Sequence, residues 1–182
     1  MLANVIGRPS NELLARLDSP NRDAAVLVAF VPRRDELHLI FTQRANHLPH
    51  HPGQISFPGG QLEADEDPVS AALREAHEEV GLEPAQVAVL GSMGPHVTVT
   101  SFLVTPVVGW VSGDFVARPD PGEVEAVFEV PLTHLLDAGN RRRATRERWD
   151  TRFVSDEFHF EGHRIWGATA SILSRFIEIV NE

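Results

Sequence analysis

The sequence predicts an α+β fold, an α/β/α sandwich in which a mixed central sheet lies between helices. An unbroken apolar run over residues 24–31 indicates a buried strand. Apolar residues at helical spacing over residues 68–80 indicate an amphipathic helix. Predicted strands and helices follow one another without the regular alternation of a doubly wound fold. With 182 residues the chain is long enough for one domain, which we expect to span residues 1–182.

The first third of the chain predicts one helix and two strands. Residues 10–18 are expected to form a helix capped by Ser10, with an apolar face made by Leu13, Leu14 and Leu17. Residues 24–31 form the first strand, and residues 37–42 form a second strand paired with it across a charged turn. Residues 49–60 are rich in proline and glycine, so we expect irregular backbone there.

The helix over residues 68–80 has the clearest boundaries of any predicted element. Asp67 is a candidate N-cap, Pro68 suits the first helical turn, and Gly81 supplies a left-handed stop. The side chains expected to face the core are Val69, Ala72, Leu73, Ala76 and Val80. This helix therefore has one apolar face for the sheet and a second face for other roles.

The rest of the chain predicts three more strands and a closing helix. Residues 87–90, 97–111 and 124–130 have the composition of strands. Residues 168–180 are amphipathic through Ile172, Phe176 and Ile179. These elements complete the mixed sheet and its second helical layer.

Composition excludes several kinds of site. The chain has no cysteine and no lysine, so it forms no disulfide, thiolate metal site, Schiff base or phosphate-loop lysine contact. The net charge of −10 argues against nucleic acid as a partner. Residues 1–9 do not resemble a signal peptide, and no apolar run approaches the roughly 20 residues that span a bilayer. We therefore expect a cytoplasmic protein without a membrane partner.

Three glutamates, Glu75, Glu78 and Glu79, lie at i, i+3 and i+4 on the predicted helix and share one face. On a solvated surface, such a face costs roughly a few tenths of a kcal/mol per pair. In a pocket, each pair would repel by roughly 3 kcal/mol and would require a cation. Mg²⁺ suits this cluster because it binds one or two carboxylates and completes its shell with water and phosphate oxygens. The spacing alone leaves both an acidic surface and a metal site open.

These glutamates belong to a longer pattern, Gly60-x5-Glu66-x7-Arg74-Glu75-x2-Glu78-Glu79-x-Gly81. Together with Leu82, the 23-residue stretch resembles the Nudix box in every charged and glycine position. The resemblance implies the Nudix fold, whose loop–helix–loop box binds a divalent metal, Mg²⁺ or Mn²⁺, and the diphosphate of a substrate. It therefore implies a pyrophosphatase that hydrolyses phosphoanhydride bonds.

The same resemblance implies roles for individual side chains. The carboxylates that would bind or support the metal are Glu66, Glu75, Glu78 and Glu79. Arg74 would orient them and belongs with Glu78 and Glu79 to the catalytic set. The general base is left open between Glu79 and a later glutamate, Glu123 or Glu125. A plain surface position is the alternative for these two.

A second pattern, upstream of the box, resembles the signature of coenzyme A diphosphatases within the Nudix superfamily. The matching residues are Thr42, Arg44, Gly53, Phe57, Pro58, Gly59 and Gly60. Ala45 and Pro49 stand where that signature has Ser and Arg. Residues 165–170 resemble the C-terminal segment of the same subfamily. The resemblance implies hydrolysis of coenzyme A to adenosine 3′,5′-bisphosphate and 4′-phosphopantetheine, with substrate bound by Arg44, Gly53, Phe57, Gly59 and Gly60. The alternative for Phe57 is that it positions the loop before the glycines.

The 3′-phosphate of coenzyme A would require a cation. Arg44 is one candidate, because a guanidinium group matches the geometry of phosphate. The arginine-rich segment over residues 141–148 is the other. Its alternative is a solvated face or a loop balanced by neighbouring acids.

Other functions remain open from the sequence. A Nudix hydrolase of ADP-ribose, NADH or a modified nucleoside triphosphate would share the same box. A catalytically silent nucleotide-binding module would share the scaffold, although it has no chemical need for the complete acidic set. An isomerase of isoprenoid diphosphates relies on a cysteine, which this chain lacks. The oligomeric state, a homodimer included, is also left open.

Overall fold

The computed structural model of the protein describes residues 22–34, 36–148 and 151–181. The helix predicted over residues 10–18 lies outside the described residues and stays a prediction. The described chain forms an eight-stranded mixed sheet and a separate three-stranded sheet, with helices packed on the central sheet. None of the helices in those three ranges is long and apolar enough to cross a membrane.

Strand β1 (Arg22–Arg33) lies in the middle of the central sheet. It pairs antiparallel with β2 (Glu36–Arg44) and parallel with β7 (Phe102–Val111), which makes the sheet mixed. Its side chains are buried on both faces, as an unbroken apolar run requires. The strands predicted over residues 24–31 and 37–42, and their pairing, are confirmed.

The other strands of the central sheet are short or lie towards its edges. They are β3 (Ile55–Ser56), β4 (Gly59–Gln61), β5 (Val87–Ser92), β6 (His96–Val97) and β8 (Val124–Pro131). The irregular backbone predicted for residues 49–60 is correct only in part, because main-chain pairing with β2 and β1 draws β3 and β4 into the sheet. The single strand predicted over residues 97–111 is wrong. A turn in which the Ser101 N–H donates to the Thr98 carbonyl separates β6 from β7.

Helix α1 (Pro68–Val80) begins and ends where the sequence predicts. The Asp67 side chain accepts hydrogen bonds from two backbone N–H groups of the first turn, and Gly81, with φ of 70°, ends the helix. The apolar face of α1 packs against one side of the central sheet. The C-terminal helix predicted over residues 168–180 covers the other side. The predicted α/β/α layering is therefore confirmed.

Several elements near the C-terminus were not predicted. They are α2 (Leu132–Leu136), β9 (Arg141–Arg148), β10 (Thr151–Phe160) and β11 (His163–Ile165). The predicted closing helix, α3 (Gly167–Val180), follows them. The three strands form the separate antiparallel sheet, and Phe158 and Ile165 bury it in the same core cluster as α3. Strand β9 begins with three arginines and has no alternation of apolar side chains, so its sequence does not indicate a strand.

Candidate active site

Two glycines let the loop before α1 pass close to both the sheet and the helix. A Cβ on Gly59 would overlap the carbonyl oxygen of Ala25, and a Cβ on Gly60 would overlap the carboxylate of Glu75. The Gly59 N–H donates to Oε2 of Glu79 at 3.1 Å. Glycine is required at both positions because any side chain would displace the loop from the helix carboxylates.

Arg74 holds the acidic face of α1 and the preceding loop together. Its Nε and Nη2 donate to the two carboxylate oxygens of Glu66 at 2.9 and 3.0 Å. Its Nη1 donates to Glu75 and Glu78 at 2.9 and 3.0 Å, and its Nη2 also donates to the Gln61 carbonyl at 3.1 Å. The hydrogen bonds with Glu66 raise the pKa of Arg74 and lower the pKa of Glu66. Arg74 thus holds three carboxylates by charge-assisted hydrogen bonds.

Glu79 lies deepest among these carboxylates, with only 3% of its surface exposed. Burial raises the pKa of Glu79 to about 8; the Gly59 N–H and the charge of Arg44 oppose this shift, and the charges of Glu75 and Glu123 add to it. Without a nearby cation, Glu79 therefore holds a proton at neutral pH. A divalent ion would favour its charged form.

Glu75 and Glu78 lie on the same face of α1 as Glu79, and we call the three the α1 carboxylate cluster. Glu75 is half-buried and Glu78 is exposed. Burial raises the pKa of Glu75; the Arg74 hydrogen bond opposes this shift, and the charges of Glu78 and Glu123 add to it. The three residues share one face of α1, as the helical spacing predicts.

The structure also distinguishes the two later glutamates that the sequence left equivalent. Both Glu123 and Glu125 are exposed. The charge of Glu123 acts on the pKa values of Glu75 and Glu79, so it lies on the side of the cluster. Glu125 is the extra residue of a β-bulge where β8 pairs with the end of β2. Of the two, Glu123 is therefore the neighbour of the cluster.

The α1 carboxylate cluster fits a divalent cation by its chemistry. Carboxylate oxygens suit Mg²⁺ and Mn²⁺, and a cation would offset the cost of charging Glu75 and Glu79. Arg74 engages one oxygen each of Glu75 and Glu78. Within the described ranges, no three His, Asp or Glu side chains already converge as a complete metal site. The second oxygen of Glu75 and of Glu78 accepts no hydrogen bond from Arg74 and would be available to a cation.

The segment between β2 and β3 brings Arg44 close to the cluster. The Gly53 N–H donates to the Arg44 carbonyl and the Arg44 N–H to the Gln54 carbonyl, each at 3.0 Å, while Gly53 turns with φ of 67°. The charge of Arg44 lowers the pKa of Glu79, so its guanidinium acts on the cluster. In the part of the chain that the structure describes, Arg44 forms no ion pair and is available to an anionic ligand.

Phe57 requires a correction to the predicted substrate-binding set. Its side chain is 1% exposed and stacks on Phe41 with ring centroids 4.8 Å apart. A substrate arriving from solution does not reach this ring. Phe57 instead anchors the loop that carries Gly59 and Gly60, both of which are partly exposed.

The arginine-rich segment over residues 141–148 belongs to the second sheet. Arg141 donates to Asp156 at 2.6 Å and lies 3.8 Å from Glu178, and Arg143 lies 3.9 Å from Asp156. The interpretation that neighbouring acids balance this segment is confirmed for Arg141. Arg44 is thus the better-placed cation for a ligand at the cluster.

Two solved structures share the fold at low sequence identity. The Nudix hydrolase RenU from M. smegmatis has a TM-score of 0.61 and 20% identity, covering 87% of this chain and 85% of its own. The NUDIX domain of Shewanella oneidensis NrtR, complexed with ADP ribose, has a TM-score of 0.50 and 21% identity, covering 71% of this chain and 87% of its own. Both likenesses support the fold alone.

Sequence comparison defines the family. A protein-family model described as the NUDIX domain matches residues 21–151. The protein named "Uncharacterized Nudix hydrolase NudL" from Escherichia coli (strain K12) is 40% identical over 161 residues, which cover 84% of this chain and 80% of that protein. The family model spans most of the chain and this relative is similar over most of its length. The chain therefore belongs to the Nudix family of hydrolases.

Proposed function

We propose that this Nudix hydrolase cleaves coenzyme A to adenosine 3′,5′-bisphosphate and 4′-phosphopantetheine, and that residues 1–182 act as one catalytic domain. The observation that carries the proposal is the hydrogen bond from the Gly59 N–H to Oε2 of Glu79 at 3.1 Å. Gly59 belongs to the coenzyme A signature and Glu79 to the Nudix box. This contact supports one shared site, and the charge of Arg44, from the same signature, also acts on Glu79.

Each group of residues has a task in this proposal. Glu75, Glu78 and Glu79 would hold Mg²⁺ or Mn²⁺, with Glu66 acting through Arg74. The bound metal would neutralise charge on the diphosphate and lower the pKa of the attacking water. Gly60 lets the phosphates approach the backbone closely, because it carries no side chain there.

We assign the proton acceptor to Glu123 and not to Glu79. Glu79 is nearly inaccessible to water and is proposed as a ligand of the metal. Glu123 is exposed beside the cluster, so its carboxylate is able to take a proton from a water that attacks the diphosphate. Arg44 is proposed to bind the 3′-phosphate through its guanidinium group.

The test is product analysis after incubation with coenzyme A in ¹⁸O-labelled water, with and without Mg²⁺ or Mn²⁺. We expect the two named products only when metal is present, with ¹⁸O in one of them. ADP-ribose, NADH and modified nucleoside triphosphates are assayed in parallel, because the sequence leaves them open as substrates. ADP-ribose is of particular interest because NrtR was solved with ADP ribose. Equal or faster turnover of ADP-ribose would remove the coenzyme A assignment. No turnover of any of them would favour a silent nucleotide-binding module.

A further inference from the structure

The turn that carries Glu123 is tied to the molecule on two sides. On one side, the Asp120 N–H donates to the carbonyl of Glu79 at 3.0 Å, which fixes the turn to the last turn of α1. On the other, the Ala45 N–H donates to the carbonyl of Glu123 at 2.8 Å. Inside the turn, Asp120 accepts hydrogen bonds from the N–H groups of Gly122 and Glu123. Hydrogen bonds thus hold both ends of this short turn.

One side chain completes this set of contacts. Nε2 of His47 lies 3.2 Å from the carbonyl oxygen of Gly122, the residue before Glu123. A carbonyl oxygen only accepts, so Nε2 of His47 carries the proton and donates. His47 is exposed, so it contributes little to the core. Its hydrogen bond to Gly122 is therefore the main contact through which His47 could act.

The charge on Glu123 explains why this hydrogen bond matters. Glu123 lies near Glu75, and the negative charges of the two carboxylates repel. The preceding residue is a glycine, whose backbone moves easily to other conformations. The other hydrogen bonds hold the ends of the turn, and His47 holds the carbonyl of the Gly122–Glu123 peptide, so losing the His47 contact would let repulsion shift the Glu123 carboxylate. A hydrogen bond to the carbonyl one residue earlier opposes that movement.

We propose that His47 is a positioning residue that holds the Gly122 carbonyl and thereby keeps the Glu123 carboxylate directed at the α1 carboxylate cluster. The inference rests on the proposed role of Glu123 as proton acceptor. His47 itself touches neither substrate nor metal in this arrangement. It acts through the turn, and its effect disappears when Glu123 has no function to perform.

The experiment is a double-mutant cycle with His47→Ala, Glu123→Gln and the pair, using the phosphoanhydride substrate that the wild type hydrolyses fastest. We expect His47→Ala to lower kcat about 3- to 10-fold, the effect of losing one hydrogen bond, with KM within about 2-fold. The double variant should be no slower than Glu123→Gln alone. His47→Gln, which retains an N–H donor, should recover most of the rate. His50→Ala, an exposed histidine of the same segment, is the matched control and should behave as the wild type.

A second readout does not depend on activity. In metal-free protein, amide hydrogen exchange at Ala45, whose N–H donates to Glu123, should be faster in His47→Ala than in the wild type and in His50→Ala. Unchanged exchange at Ala45, or rate losses that add independently in the double variant, would overturn the inference alone. Full activity of Glu123→Gln would overturn both this inference and the assignment of Glu123 as proton acceptor.

Discussion

Two acidic regions of this protein place carboxylates beside arginines, and the pKa values of one carboxylate from each region, Asp156 and Glu79, shift in opposite directions. Asp156 on β10 would have a raised pKa from burial, but hydrogen bonds from Arg141 and Ser174, at 2.6 and 2.9 Å, outweigh burial and lower it. Glu79 on α1 accepts one backbone hydrogen bond, and its pKa rises to about 8.

The difference separates a structural ion pair from a carboxylate that we propose as a metal ligand. In the second sheet, Arg141 and Ser174 hold the pKa of Asp156 below its usual value. On α1, a single cation, Arg74, is shared by Glu66, Glu75 and Glu78, and Glu79 forms no ion pair in the described chain. An under-compensated buried carboxylate costs stability, which is the property expected of a group kept for a ligand.

The largest expected effect is on turnover. Glu78→Gln and Glu79→Gln each remove a negative charge from the proposed metal site, so we expect kcat to fall by at least about 10²-fold, or roughly 3 kcal/mol of barrier. The measurement is steady-state hydrolysis at saturating Mn²⁺. Glu161→Gln, at an exposed turn in the second sheet, is the control and should retain normal turnover. Near-normal rates in both α1 variants would contradict the proposed metal site and with it the functional difference between the two regions.

The second prediction concerns the structural pair. Asp156→Asn removes the charge that Arg141 pairs with, leaving a partly buried guanidinium under-compensated. We expect the free energy of unfolding at pH 7 to fall by about 2–3 kcal/mol. Urea denaturation of the metal-free protein measures this change. A variant as stable as the wild type would mean that the second region does not depend on compensated charge.

The third prediction has the opposite sign on α1. Because the pKa of Glu79 is about 8 when folded and near 4.5 when unfolded, the folded state binds more protons between these values. Glu79 therefore costs stability progressively as pH rises from about 4.5 to 8. In metal-free protein, we expect Glu79→Gln to be more stable than the wild type at pH 9 by at least about 1–2 kcal/mol, out of about 5 kcal/mol that this shift gives at about 1.4 kcal/mol per pKa unit, with the difference shrinking towards pH 4.5. A loss of stability at pH 9 would contradict the account.

The smallest effect sharpens the contrast between Arg141, which is paired, and Arg44, which is available to a ligand. Arg44→Gln should raise KM for coenzyme A about 10-fold, equivalent to about 1.4 kcal/mol of binding. Dephospho-coenzyme A lacks the 3′-phosphate, so its KM should change little. Comparing both substrates in both proteins measures the effect. An equal rise for the two substrates would assign Arg44 to a different part of the ligand.

Local sequence signals predicted α1 and the placement of its glutamates on one face. Each of these signals acts within a few residues and can be recognised without tertiary contacts. They are the cap at Asp67, the stop at Gly81 and the spacing of the glutamates. The strands β9 to β11 were missed because cross-strand pairs such as Arg141 with Asp156 replace the apolar alternation that marks a strand. The contact of the Gly59 N–H with Glu79 was missed because a backbone donor has no side-chain signature.

The choice between Glu123 and Glu125 also lay beyond the sequence. Two glutamates separated by one residue face the same side of a regular strand. The irregular pairing at the end of β2 breaks that equivalence and depends on the register of strands distant in sequence. The burial of Phe57 was also not predictable from the sequence, because its stacking partner Phe41 comes from a different strand.

The central claim is that the α1 carboxylate cluster is under-compensated because it binds a divalent cation. Calorimetric titration of the folded protein with Mn²⁺ at pH 7, in buffers of different ionisation enthalpy, tests it most directly. The account predicts saturable binding that releases close to one proton, since Glu79 has a pKa of about 8 and must lose its proton to become a ligand. Glu79→Gln should bind more weakly and release almost none. Absence of Mn²⁺ uptake by the wild type, even beside a pyrophosphate-bearing ligand, would contradict the claim.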